Sequence, residues 1–147
     1  MYSTERIEPM KDVLISVLSK QSQPDGSDED SIELVTEGKY HYDGEKTVIS
    51  YMESEITGFG GCTTTFSVYP DRIVMNREGN GSSDMIFDNG KRHQYYYETP
   101  VGSLLLGVVT LSSKAELDSS GGNVEVHYML DLDNKVFSRN SFVINVK

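Results

Sequence analysis

At 147 residues the chain has the length of one domain, and a domain of that length buries roughly two thirds of the surface its unfolded chain exposes. Its 23 acidic residues outweigh 13 basic ones, and a formal net charge of −10 repels phosphate backbones and anionic headgroups, so neither nucleic acid nor membrane is an expected partner. The single cysteine, Cys62, rules out an intramolecular disulfide and any cysteine-built zinc or iron–sulfur site.

Residues 1–10, opening with MYSTERIEP, mix charges without an apolar period, and Pro9 sets them off. They are expected to form a flexible tail ahead of a single domain over 11–147. From there the governing period is two. KDVLISVLSKQ (11–21) carries apolar residues that would also suit a helix, but its valine, isoleucine and serine content favours a strand. After the acidic turn Pro24-Asp25-Gly26, DSIELVTEGKYHY (30–42) alternates. Ile32, Leu34, Tyr40 and Tyr42 go inward, and Glu33, Glu37, Lys39 and His41 go outward.

Past Asp43-Gly44, VISYMESE (48–55) groups Ile49, Tyr51, Glu53 and Glu55 on one face. The glycine-rich ITGFGGCTTTF (56–66) ends in a threonine run entering a strand. It lacks both the Gly-Lys-Ser/Thr ending and the helix that a phosphate loop needs, so it reads as a hairpin connection. In the strand that follows, Cys62, Thr64, Phe66 and Val68 share a face, with Cys62 a buried structural thiol.

RIVMNRE (72–78) groups Ile73, Met75 and Arg77, and RHQYYYET (92–99) groups His93, Tyr95, Tyr97 and Thr99. The longest apolar run, Leu104-Leu105-Leu106 extended by Gly107-Val108-Val109, lies mid-chain and is far too short to span a bilayer. NVEVHYMLDL (123–132) sets Val124, Val126, Tyr128, Leu130 and Leu132 against Glu125, His127 and Asp131. Turn signals recur at Pro70-Asp71, Gly79 to Gly81, Asn89-Gly90, Gly121-Gly122 and Asp133-Asn134; Asn80-Gly81-Ser82 matches a glycosylation triplet but reads as one of these turns. Roughly nine or ten strands in simple succession follow. Such a meander predicts an all-β chain closed as a single antiparallel up-and-down barrel, with a two-sheet sandwich as the alternative.

Three strands carry charge on an apolar face. If Ile49 and Tyr51 face the barrel lumen, Glu53 follows them, as Arg77 follows Ile73 and Met75. A buried carboxylate and guanidinium each demand a partner, so they are expected to pair with each other or with a ligand unless both sit at a wet rim. Tyr51, Tyr95 and Tyr97 complete a candidate ligand-binding set with Glu53 and Arg77. The three histidines, His41, His93 and His127, are widely separated and suggest no metal site, and PDGSDED lacks the ligand spacing of a calcium loop. No nucleophile or acid–base constellation emerges, so no catalytic residue and no cofactor are assigned.

From about Lys11 to Val146 the chain resembles the YwiB-like family of small bacterial β-barrel proteins with a lipocalin-like, or calycin, barrel. The resemblance rests on ISYME (49–53), IVMNREG (73–79), MIF (85–87), YETPVGSLLLGVVT (97–110) and VEVHYMLDL (124–132), in that order. It implies a closed barrel with one end plugged and a lumen, and it carries no activity.

Three functions remain in competition. The first is binding of a small anionic or amphipathic molecule in or at the mouth of the barrel. The second is a non-catalytic interaction module with a filled barrel, and the third an enzyme. A cytoplasmic monomer or homodimer is the expected setting.

Overall fold

A computed structural model describes residues 10–57, 60–79 and 81–147. The tail expected over residues 1–10 lies outside the described residues except for Met10, as do positions 58 and 59 of the glycine-rich loop and the Asn80 turn position. Ten strands follow one another: β1 (Lys11–Ser22), β2 (Asp30–Tyr42), β3 (Thr47–Met52), β4 (Thr63–Val68), β5 (Ile73–Gly79), β6 (Gly81–Phe87), β7 (Arg92–Thr99), β8 (Gly102–Asp118), β9 (Gly121–Leu132) and β10 (Lys135–Val146). The expected barrel is therefore the observed one. The spatial order is β6-β5-β4-β3-β2-β1-β10-β9-β8-β7, so strands consecutive in the chain pair antiparallel except β6 with β7, and β10 returns beside β1 from Ile15↔Val146 to Ser22↔Arg139. β6 and β7 end the order and stand next to each other, which leaves the barrel nearly closed along one seam.

Turn chemistry explains the meander. Asp133 and Asn134 take φ of 52° and 66°, the paired positive angles that a two-residue hairpin between β9 and β10 requires. At Gly121-Gly122 the expectation needs correcting: the turn falls on Ser119-Ser120, and the two glycines open β9 with φ of 122° and 139°. A Cβ on Gly122 would stand 1.9 Å from the Glu116 carbonyl oxygen, so glycine is needed for backbone approach rather than for the turn. Register shifts at Thr110/Ser112 in β8 and Val136/Ser138 in β10 mark bulges, which let these long strands curve around the barrel.

The inward faces follow the sequence alternation, but they do not fill the barrel evenly. At one end Ile15, Ile49, Phe87, Val108, Val124, Val126 and Ile144 are all but inaccessible and close-packed. There the β6–β7 turn is clipped to β8, because Gly90 N–H donates to the Thr110 carbonyl (2.9 Å) and Asp88 N–H to the Thr110 hydroxyl (3.2 Å). Across the middle, Phe142 packs on Phe66 (centroids 5.1 Å apart) and Phe87 (5.4 Å), and Phe87 packs on Tyr128 (4.9 Å). This aromatic layer joins β4, β6, β9 and β10 and forms a floor; beyond it the barrel is hollow.

Two further expectations change in detail. Glu55 does not share the face of Ile49, Tyr51 and Glu53. β3 stops at Met52, and Glu55 begins a short 3-10 helix, Glu55–Thr57, where the Ile56 N–H donates to the Ser54 hydroxyl (3.2 Å) and Glu55 is exposed. Asp131 does point out of the barrel but is buried there, because the Arg92 guanidinium lies over it with two hydrogen bonds of 2.9 and 2.7 Å. The outer face of Gly107, between them in the sheet, makes the room: a Cβ there would meet both Arg92 Nη2 and Asp131 Oδ1 at 2.5 Å.

Candidate functional site

The hollow half holds a cavity of about 670 Å³, within the about 300–1,000 Å³ range of small-molecule sites. The aromatic floor closes its base through Phe66, Tyr128 and Phe142. Leu34, Met75, Met85, Leu106 and Leu130 supply apolar wall, and Ile32, Tyr97, Leu104, Leu132 and Phe137 ring its mouth half-exposed.

One wall, formed by the adjacent strands β3, β4 and β5, is polar. Alternation carries Glu53 inward at the end of β3, Thr64 on β4 and Arg77 on β5, and the ladder places Thr64 opposite both Tyr51 and Arg77. Glu53 is buried (side chain 3% accessible) and Arg77 is largely covered (20%). Arg77 Nη2 donates to Glu53 Oε2 at 3.4 Å, and Arg77 Nε donates to the Thr64 hydroxyl at 3.2 Å. The Thr64 hydroxyl in turn donates to Glu53 Oε2, and the Thr57 hydroxyl to Glu53 Oε1 at 3.0 Å. The carboxylate is thus held by two hydroxyls and a guanidinium, the kind of partner set that an ion in a low-dielectric interior requires.

Three tyrosines stand in the field of this pair. Burial pushes the Tyr51 hydroxyl well above the ordinary phenol range, helped by the Glu53 charge and opposed by Arg77. Burial likewise raises Tyr95, and it pushes Tyr128 up to about 12, with Arg77 again working against the shift in each case. All three stay neutral at physiological pH, so each offers both a donor and an acceptor.

Of the five residues expected from the sequence, the structure brings all of them to this one cavity: Tyr51, Glu53, Arg77 and Tyr95 in its interior and Tyr97, 43% exposed, at its mouth. The reading missed Thr64 as the linker between the charges, Tyr128 as part of the polar set, and Thr57. Thr64 had a signal, since it is a lone hydroxyl on an otherwise apolar face; Thr57 had none, because its role depends on the unforeseen 3-10 turn.

The three histidines do not converge. His127 lies outside against Glu125 (2.6 Å), and His93 Nε2 stands 4.0 Å from Asp88 Oδ2. Among the described residues, no group of three or more histidine, cysteine, aspartate or glutamate side chains is placed to hold a metal ion. A second hollow of about 340 Å³, beside Tyr69, Arg72 and Lys114, is smaller, more open and more polar, and its cation Arg72 already stacks 4.2 Å from the Tyr69 ring. We therefore take the barrel cavity as the candidate site.

Fold and cavity together define a class: a ten-stranded up-and-down barrel, packed solid in one half and hollow in the other, with an ion pair buried in its wall. Within that class the chain belongs to the family described as Domain of unknown function (DUF1934), whose model matches residues 15–144. It is also similar to the crystal structure of the ywiB protein from Bacillus subtilis, at 23% identity over 94% of each chain with a TM-score of 0.76, a likeness that shows the fold. A comparison with curated proteins finds no match. Among the described residues no helix is long and apolar enough to cross a membrane.

Proposed function

We propose that the hollow half of the barrel binds a small amphipathic molecule, with Tyr51, Glu53, Arg77, Tyr95 and Tyr97 as its polar contacts. The observation that carries this reading is the joining of a buried, hydrogen-bonded ion pair to an apolar cavity of about 670 Å³. A chain needing only a stable barrel gains nothing from such a pair, because apolar side chains of similar volume would serve as well or better. A cytoplasmic setting belongs to the same reading, supported by the one free, buried thiol of Cys62.

Native mass spectrometry of the purified protein, followed by denaturing extraction, tests the proposal. A small-molecule mass that accompanies the wild-type chain and is lost in Leu130→Trp, which fills the cavity, is the expected result. An apo mass for both, together with no thermal shift from any amphiphile, would sink it.

A second reading has its own observation. On the outer face, Tyr96 of β7 lies opposite Leu105 of β8, and both are exposed, as is Val101 in the turn between them. That strip suits a protein partner or a homodimer, and sedimentation would report the latter directly.

A further inference from the structure

Charge is distributed oddly between body and cavity. The whole chain carries −10, yet among the described residues the cavity lining holds four charged side chains, the cations Lys20 and Arg77 and the anions Asp30 and Glu53, which sum to zero. Inside, the balance is local as well as global, since among the described residues the interior cation, Arg77, is hydrogen-bonded to the interior anion, Glu53. From this neutral lining we infer that the ligand is itself net-neutral: an uncharged polar group with both a donor and an acceptor, carried on an apolar body. The inference rests on the binding proposed above and specifies its substrate class.

The physical argument runs through each alternative. A carboxylate entering the cavity meets Arg77 only by competing with Glu53, and it adds a second negative charge beside one already desolvated. Like charges in a low-dielectric site repel strongly, so one of the two would have to take up a proton. An ammonium meets the mirror problem, attracted by Glu53 but repelled by Arg77. A carboxamide or similar group disturbs neither. It can donate to and accept from the tyrosine hydroxyls, and its NH₂ and C=O match the acceptor and donor of the ion pair without changing the charge count. The body of the ligand is left for the floor of Phe66, Tyr128 and Phe142 and for the apolar wall of β8–β10, which the strand order places across the barrel from β3–β5.

The test uses one apolar body with three heads. Naphthamide, naphthoate and naphthylmethylammonium are titrated against the full chain loaded with N-phenylnaphthylamine, a neutral fluorescent probe. The expected order puts the amide at least about tenfold ahead of both ions, a margin of about 1.4 kcal/mol. The Glu53→Gln variant removes the negative member of the pair, so it should shift preference toward naphthoate, and Arg77→Gln should shift it toward the ammonium. Should either variant fail to fold, the wild-type order alone decides. If naphthoate equals or beats the amide on the wild-type chain, the neutral-ligand inference is wrong while binding stands. If neither the probe nor any of the three heads binds, the binding proposal itself falls, and this inference with it.

Discussion

The two halves of this barrel are built by the same ten strands and differ in what those strands present inward. In the closed half the inward residues are mainly valine, isoleucine and phenylalanine, joined by Tyr40, Thr47 and Thr110, and Ile15, Ile49, Phe87, Val124, Val126 and Ile144 show no accessible surface at all. In the open half the inward positions of the same strands read Ser19, Leu34, Glu53, Thr64, Arg77, Tyr97 and Leu130, a mixture of polar, charged and only partly covered apolar groups. The strand order is common to both halves, although β2 pairs with β3 only over Gly38–Tyr42 and bulges shift the register in β8 and β10. What changes is volume and polarity, and the Phe66–Phe142–Phe87–Tyr128 layer marks the border. Stability and binding are thereby separated along one axis, with close packing on one side and a lined space on the other.

If that separation is real, the largest effect comes from emptying the packed half. Phe87→Ala should cost about 3–5 kcal/mol in denaturant unfolding, since it removes a fully buried ring and leaves a void in the floor. A loss near 1 kcal/mol would mean that the floor is loosely packed and the halves are not distinct. Next comes the pair in the cavity wall. Arg77→Ala should cost about 2–3 kcal/mol, because the 3%-accessible Glu53 carboxylate is left with hydroxyl partners only. The double variant Glu53→Gln/Arg77→Met should recover much of that loss. An unchanged melting temperature for Arg77→Ala would place the arginine in water and remove the polar wall.

The outer pair sharpens the comparison, because it is an ion pair with no cavity behind it. Arg92 holds the Asp131 carboxyl below its ordinary 3.8, chiefly through its hydrogen bonds. A carboxyl depressed in the folded state adds stability that is present above its unfolded value and lost as pH falls through the folded one. Asp131→Asn should therefore cost about 1–2 kcal/mol at neutral pH, and the gap to the wild type should close as the pH drops below about 3.8. Ligand affinity should not move. If it does, the inner and outer faces of the sheet are coupled.

How much of this was open to reading follows from what alternation encodes. Side-chain period reports which face a residue takes, so the barrel, most of the inward set and the inward direction of Glu53 and Arg77 were legible. That the two meet rather than reach a wet rim was left open, and Tyr42, expected inward, is exposed. Period does not report depth. Leu130 and Val124 read alike in NVEVHYMLDL, yet one lines a cavity and the other is sealed, because the floor between them is made by residues far apart in the chain. Nor does it foresee an outward residue being buried. Asp131 is covered because Arg92 lies near it across the small Gly107, a three-strand coincidence that no local pattern contains. Loop geometry was equally hidden, as Thr57 and Glu55 show.

The smallest expected effect on stability is also the sharpest test of the division. Leu130 is inward, apolar and on the same strand as Val126, so a pattern-based account makes the two equivalent. If the open half is a lined space, Leu130→Ala enlarges an existing cavity and creates no new void. The cavity term of a core truncation is then largely absent, and the loss should stay below about 1 kcal/mol. Val126→Ala, within the packed half, should cost about 2 kcal/mol or more despite removing fewer atoms. Binding should reverse the ranking: Leu130→Ala strips wall from the ligand's apolar body and should weaken N-phenylnaphthylamine by roughly tenfold, while Val126→Ala leaves it unchanged. Equal stability losses for the two would show that Leu130 is packed like any core residue, and that the space beside it closes in solution.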